Sequence, residues 1–333
     1  MSIEVRPVED DATWNGYLEH APTPTPFHRA EALDVLASHA DARLHRLVGF
    51  NGREPVGLFP VFEVERGPVT GAFSPPPDLK IPYLGPALVR RGDPPKRRRR
   101  DRQHHEFVDG VIDHVDEEID PQLVHVRTAP GYDDVRPYSW RSYDVEPRYT
   151  YVVDLSREKS ELLASFSADA RSNVTGDHPM EYELVPGSEA DVREIVERTA
   201  DRHAEQDEPF PMGPSFVTDL TTALPEGVVR PLVCRVDGEF VAGILCLETG
   251  GTGHRWLGSG TPSVDLPAND LLDWAYCREA AARGVTAFDL TGANVRRIAA
   301  YKAKFAPELV PYYRLKSSSR PMDVAVSLYD RLR

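Results

Sequence analysis

Cysteine is scarce. Cys234, Cys246 and Cys277 are the whole supply in 333 residues, too scattered for a disulfide framework and without a CxxC pair. Long apolar runs are missing too: no segment approaches the ~18 residues that cross a bilayer, and the N-terminus, MSIEVRPVEDD, has no basic stretch followed by an apolar one, which reads as no secretory signal. We therefore expect a soluble protein of a reducing compartment, the cytoplasm, without stable membrane insertion. Lysine is rare, with 6 Lys against 33 Arg, and 53 acidic residues outweigh 39 basic ones to give a net charge of -14. That balance resembles halophilic, salt-adapted proteins, whose acidic surfaces stay hydrated in concentrated salt; it says nothing of fold. The eleven His show neither HxxxH nor HExxH spacing, so no metal site is expected. There is no GKS or GKT phosphate loop and no GxSxG elbow, and GSG at 258 to 260 is followed by no GxxG.

What is present is a globular composition, 41% apolar and 9% aromatic, in a chain long enough for two domains. Two segments look alike, LVGFNGREPVGLFPV from Leu47 and VCRVDGEFVAGILCL from Val233. Each reads as strand, two-residue turn (Asn51-Gly52 or Asp237-Gly238) and strand, and each has a glycine at the same distance beyond the turn, Gly57 or Gly243. A duplicated domain explains the pair, and so do two ordinary hairpins. The boundary falls near residue 148, giving an N-terminal domain 1–148 and a C-terminal domain 149–333. In the first, helices are expected near 10–20, 28–40 and 97–119, a hairpin over 43–65, and strands near 83–89 and 122–128. In the second, helices are expected at 157–174, 189–205, 214–223, 268–283 and 294–305, with a last one from about 322. Strands are expected at 181–185, 229–236, 240–248, 253–259, 285–290 and 309–316. Helices flanking a mostly antiparallel meander with a later crossover make a mixed α/β (α+β) fold.

The stretch FDLTGANVRRIAAYKAKF puts Val295, Ile298, Lys302 and Phe305 on one stripe of a helix, so a lysine sits on the apolar side. Buried and unpaired, that ammonium would cost several kcal/mol by rough estimate. It must reach water by snorkelling, meet an anion, or do chemistry. Arg297, Tyr301 and Lys304 form a second stripe, which in most helices is solvated.

From Gly258 onward the residues Asn269, Trp274, Gly284, Asp289, Gly292, Tyr301, Lys302 and Phe305 resemble the FemAB-like branch of the GNAT acyltransferase superfamily. In that branch a Pro/Asn turn opens a helix, a strand ends in Asp, and a helix carries an aromatic-Lys-x-x-Phe/Gly signature. TPFH at 25–28, SPPPDLKIPYLGPAL at 74–88 and SADARSNV at 167–174 are similar to further elements of the family. The resemblance implies two tandem GNAT-like domains, each a mixed, mostly antiparallel sheet flanked by helices, with the active site in the second. It implies transfer of an acyl or aminoacyl group, from acyl-CoA or aminoacyl-tRNA, to an amine acceptor that is a small molecule or part of the cell envelope. Where acetyl-CoA enzymes carry a Gly-rich pyrophosphate loop this sequence has TPSVDLPAN, a departure from the CoA pattern. The alternatives are an acetyl-CoA-dependent N-acetyltransferase with an atypical loop and a catalytically silent tandem scaffold.

Lys302 is the residue we expect to stabilise an oxyanion or hold substrate, with Asp289 pairing with it or orienting the amine; a turn carboxylate is the plainer reading of Asp289. For substrate binding we select Arg171, Tyr83, Asn269 and Tyr301. Arg171 would reach a phosphate or carboxylate, or else make a surface ion pair. Tyr83 would line a cleft between the domains or simply pack, and Asn269 would cap a helix or contact an anion. The run PKRRRRDRQHH from Pro95 is the one dense basic patch; it suits a polyanion such as a tRNA acceptor stem or anionic lipid, or a solvated helix start paired with Asp93, Asp101 and Glu106.

Overall fold

Both hairpins form. In the computed structural model, which describes residues 3–92, 96–207, 210–260 and 264–318, β2 (Arg43–Asn51) turns back as β3 (Glu54–Arg66), and β9 (Val229–Val236) as β10 (Glu239–Thr249). Their turns need positive φ, which Gly52 and Gly238 supply at 65° and 81°. The matching strand glycines have one job. A Cβ on Gly57 would lie 2.5 Å from the Phe107 ring, and one on Gly243 2.6 Å from Ile195, so each lets a helix side chain drop onto the sheet.

The chain divides into two units, Met1–Arg148 joined by the segment beginning at Pro311, and Tyr149–Val310. The first contains β1 (Glu4–Pro7), α1 (Asp11–Leu18), α2 (Ala30–Ala40), β2, β3, β4 (Val69–Ser74), β5 (Ala87–Leu88), α3 (Arg97–Glu118), β6 (Leu123–Arg127) and α4 (Arg136–Trp140). Its sheet runs β1-β2-β3-β4-β6, antiparallel except for the parallel pair β4/β6. The end of β13 (Glu308–Ser318) adds to β6 through Arg314–Ser318. α3 shows why the periodicity was legible: Phe107, Val108, Val111, Ile112 and Val115 are buried against Phe59, Val61, Ala72 and Val124.

The second unit begins in β7 (Asp144–Asp154) and continues through α5 (Lys159–Ser165), α6 (Ala168–Thr175), β8 (Glu183–Pro186), α7 (Glu189–Ala204), α8 (Pro214–Ala223), β9, β10, β11 (Thr252–Gly260), α9 (Ala268–Ala282), β12 (Ala287–Asp289) and α10 (Arg296–Ala303). Its sheet runs β8-β9-β10-β11-β12-β7, with only β11/β12 parallel. Strand, two helices, three-stranded meander, helix and parallel strand thus occur in the same order in both units. The crossover helix before each parallel strand is α3 in one and α9 in the other.

Several expectations change. The helix expected over 157–174 is two, because Phe166 is extended and buried while the Ser167 hydroxyl accepts from the Ala170 N–H and starts α6. The strand expected at 83–89 shrinks to Ala87–Leu88, and that at 285–290 to Ala287–Asp289. The division at 148 assigned everything after it to the second domain, whereas the segment beginning at Pro311 groups with the first because its strand pairs with β6. The helix expected from about 322 lies outside the described residues. Among the described residues, no helix is long and apolar enough to cross a membrane.

Candidate active site

β11 and β12 pair in parallel only at Thr252/Ala287, Gly253/Phe288 and His254/Asp289. Beyond that register β12 ends, while β11 runs on to Gly260 paired with β10 on its other side. The chain leaves the ladder after Asp289, and polar side chains gather where it does.

The chain leaves β12 through a tight loop in which Thr291 and Gly292 both have positive φ, 53° and 93°. Left-handed backbone costs a threonine roughly 1 kcal/mol, and the contacts around it offset that. Asp289, 1% exposed, accepts through Oδ1 from Thr150 Oγ1 (2.6 Å) and from the Thr291 N–H (2.8 Å). Thr150 Oγ1 in turn accepts from the Gly292 N–H at 2.7 Å, and the Thr291 hydroxyl donates to the Arg255 carbonyl. Lys302, 8% exposed, closes the loop from the far side, its Nζ donating to the carbonyls of Thr291 (3.0 Å) and Gly292 (2.9 Å). Burial, and then the positive charge of Arg255, pull the Lys302 ammonium down to about 8, with Asp289 and Asp273 acting in the other direction.

Lys302 and Asp289 therefore meet at one loop as expected, yet Asp289 does not serve as the lysine's hydrogen-bonded partner. Its Oδ2 lies 3.5 Å from Nδ1 of His254, the residue directly opposite in the parallel register. His254 is buried, and among the described residues its Nε2 has no hydrogen-bond partner. An imidazole with one nitrogen held toward a carboxylate and the other unspent is oriented for proton transfer.

A second network lies on the α9 side. Arg255 donates through Nε to Asp273 Oδ1 (2.6 Å) and through Nη2 to Asn269 Oδ1 (3.2 Å). The Tyr301 hydroxyl lies 3.0 Å from Asp270 Oδ1 and 3.2 Å from Asp273 Oδ2, and Lys304 Nζ sits 2.6 Å from both Asp270 oxygens. Asn173 Nδ2 also donates to Asp270, at 2.7 Å. Burial raises the Asp273 carboxyl despite Arg255 beside it, and burial keeps the Tyr301 hydroxyl protonated. Tyr301 and Lys304 are thus turned toward buried carboxylates rather than onto a solvated stripe. The apolar stripe is corrected as well: Val295 and Ile298 are exposed, because α10 starts only at Arg296 and turns Tyr301 and Lys302 inward, with Phe305 buried just beyond its end.

The remaining expectations separate. Asn269 is no cap, since Pro267 holds that position without a side-chain bond and the amide instead receives Arg255. The Arg171 guanidinium donates to the carbonyls of Ala164 (3.1 Å) and Phe166 at the C-terminus of α5, and among the described residues it makes no ion pair. Tyr83 belongs to the first unit, where it is buried with its ring edge-on to Tyr312 at 4.8 Å. The basic run opens α3 exposed, with i,i+4 pairs Arg97–Asp101 (3.5 Å) and Arg102–Glu106 (3.8 Å); Asp93 lies outside the described residues. Sequence reading missed Arg255, His254, Asp270 and Asp273. Only the last two left a signal, two carboxylates three apart in an otherwise apolar helix, ANDLLDWAYC, which calls for buried cations.

The N-terminus of α9 is the place that the GNAT-like resemblance of the sequence would give to a CoA pyrophosphate. Here the Ala268 N–H already donates to Leu266 O (2.8 Å), and those of Asp270 and Leu271 to Pro267 O (2.9 and 3.1 Å). Pro267 has no N–H, and the buried Asp270 carboxylate adds negative charge in the first turn. Among the described residues this helix start does not fit a CoA pyrophosphate.

Residues 168–303 match a family model described as an acetyltransferase (GNAT) domain. No curated protein matches the sequence. Among solved structures the chain resembles FemX, with a TM-score of 0.71 at 12% identity over 93% of this chain and 96% of that one. It also resembles L-PGS from Bacillus licheniformis (TM-score 0.59, 16% identity, 97% and 96% covered). A tandem GNAT protein from the clavulanic acid biosynthesis pathway is a further neighbour (TM-score 0.56, 13% identity, 95% and 98% covered). At these identities the likeness is one of fold.

Proposed function

We propose that this chain is an acyltransferase of the GNAT superfamily, of the FemAB-like branch, and that it transfers an acyl or aminoacyl group to an amine where β12 ends beside β11; the GNAT domain match over 168–303 and the tandem GNAT fold support the reading. The observation that carries the reading is a buried lysine on the positive-φ loop that follows Asp289, whose carboxylate faces His254, a histidine with a buried Nε2 that has no hydrogen-bond partner among the described residues.

In this reading the amine nitrogen attacks the acyl carbon of the donor. The new N–C bond forms as the bond from that carbon to the donor's sulfur or ester oxygen breaks. His254 Nε2 takes the amine proton and passes it to the departing thiolate or alkoxide. Asp289 holds the tautomer with its proton on Nδ1. The Lys302 N–H left over from Thr291 and Gly292 faces the carbonyl oxygen as it gains negative charge. Among the described residues the start of α9 forms no pyrophosphate cradle, which supports trying aminoacyl-tRNA first; acetyl-CoA is the second reading, supported by the GNAT domain match. The acceptor is an amine on a small molecule or a cell-envelope component.

The test incubates the purified chain with amine acceptors and either acyl-CoA or aminoacyl-tRNA, and follows the acylated amine by mass spectrometry. Lys302→Met and His254→Gln should each lower kcat by roughly 10²-fold or more with native-like melting. Native turnover in both variants, or no product from any donor, would remove this reading.

A further inference from the structure

A second cluster of chemistry lies in the first unit, away from anything the acyl-transfer reading uses. His104 and His105 are neighbours on α3, about 100° apart around the helix. His104 points inward and is buried, while His105 flanks it with its side chain 21% exposed. Asp134, in the loop before α4, enters the angle between them. Its Oδ2 lies 3.4 Å from His104 Nδ1 and 3.3 Å from His105 Nε2, and the three side chains each offer a ligand atom within 4.8 Å of the others.

We propose that His104 Nδ1, His105 Nε2 and Asp134 Oδ2 form a binding site for a divalent first-row transition metal, zinc being the simplest occupant. Two observations support it. A tetrahedral zinc ion with nitrogen and oxygen bonds near 2.0–2.1 Å needs its ligand atoms about 3.3 Å apart, which is the spacing of the two recorded edges and long for ordinary hydrogen bonds. Second, the far nitrogen of His104 is already fixed, Nε2 lying 2.6 Å from the Tyr132 hydroxyl, the outer hydrogen bond that sets a liganding histidine's tautomer.

Arg136 is the competitor. It donates through Nε to Asp134 Oδ1 (2.7 Å) and through Nη2 to Oδ2 (2.8 Å). Metal binding keeps the first bond, now orienting the carboxylate, and replaces the second; the Arg136 side chain is 50% exposed and free to swing toward water. The fourth position falls to solvent, since Asp134 is 26% exposed. The spacing rules applied to the sequence could not find this site, because adjacent histidines share no helix face until a loop residue fills the angle between them.

The structure also supplies the probe. Trp140 is 63% exposed with its ring 4.7 Å from His105, whereas Trp14, Trp256 and Trp274 are buried. The tag-free chain, stripped with a chelator and dialysed, is titrated with zinc and separately with copper(II). We expect zinc to raise the melting temperature with one equivalent bound by calorimetry, and copper to quench the exposed tryptophan emission at the same stoichiometry. His105→Ala and Asp134→Asn should each weaken binding at least tenfold without unfolding the protein. His114→Ala, elsewhere on α3, should leave binding unchanged, and Trp140→Phe should abolish quenching while keeping the zinc shift. No saturable binding at up to millimolar zinc, or binding that survives both His105→Ala and Asp134→Asn, would overturn the proposal and leave a hydrogen-bonded cluster around Arg136.

Discussion

Replacing Lys302 with methionine removes a charge from a place that resists charge, and the consequence can be worked out before any substrate is known. The lysine titrates near 8 in the folded protein against 10.5 for an ordinary lysine. A tenfold change in an equilibrium is about 1.4 kcal/mol, so burial penalises the ammonium by about 3 kcal/mol at neutral pH. Against this stand its two hydrogen bonds to the Thr291 and Gly292 carbonyls, each worth about 1.5–3 kcal/mol as bonds from a charged donor. The terms are of similar size, so the native protein and Lys302→Met should differ little in stability at pH 7. The pH dependence is where they part. Because the folded pKa lies below the unfolded one, the unfolded chain holds the extra proton between pH 8 and 10.5. The native protein therefore gains on the variant as pH rises through that window, by about 3 kcal/mol in all, and the difference is flat below it. Urea unfolding of both proteins at half-unit steps from pH 7 to 10.5 measures it, with every other titrating group cancelling in the difference. A constant difference across that range would show an ammonium hydrated rather than buried, and would take the oxyanion role with it.

Three further outcomes follow from contacts described above. Asp270→Asn should destabilise the protein by roughly 2–3 kcal/mol, because it leaves the half-buried Lys304 ammonium without its buried carboxylate; a double-mutant cycle with Lys304→Met should recover much of the loss, and additive effects would contradict the pairing. Arg171→Ala should cost about 1 kcal/mol by freeing the carbonyls at the end of α5 and leave the KM for donor unchanged; a large rise in KM would restore it as a ligand contact. Gly57→Ala and Gly243→Ala should each destabilise by about 1–3 kcal/mol through overpacking, read by thermal unfolding, and a neutral result at either would remove the shared reason for glycine in the two hairpins.

That shared reason shows which parts of the fold were legible. Hairpins announce themselves locally, through Asn51-Gly52 and Asp237-Gly238, and α3 announces itself through one apolar face from Phe107 to Val115. What stayed hidden was decided at long range. β1 and β4 are short strands whose residues gain their character only from the neighbours they pair with, and the last strand joins the first sheet for the same reason.

The candidate site inverts the pattern in an instructive way. Periodicity sorts a helix into apolar-in and polar-out, and over α10 that rule placed Val295 and Ile298 inside with Tyr301 and Lys304 outside. The structure does the reverse for those four, because α9 presents Asp270 and Asp273 from within the protein and so makes the polar face of α10 the one that docks. A buried carboxylate is satisfied only by donors, so once two of them occupy one helix face, the facing helix is selected for Tyr and Lys rather than Val and Ile. Lys302 was found because it interrupts an apolar stripe, while Arg255 and His254 were missed because on a strand nothing distinguishes a polar residue bound for a partner from one bound for water. Their partners lie 18 and 35 residues away, and only the parallel register of β11 with β12 brings His254 and Asp289 face to face. The same limit hid His104, His105 and Asp134, so in both units the chemistry resides in pairings that the fold makes across distant elements rather than in any contiguous motif.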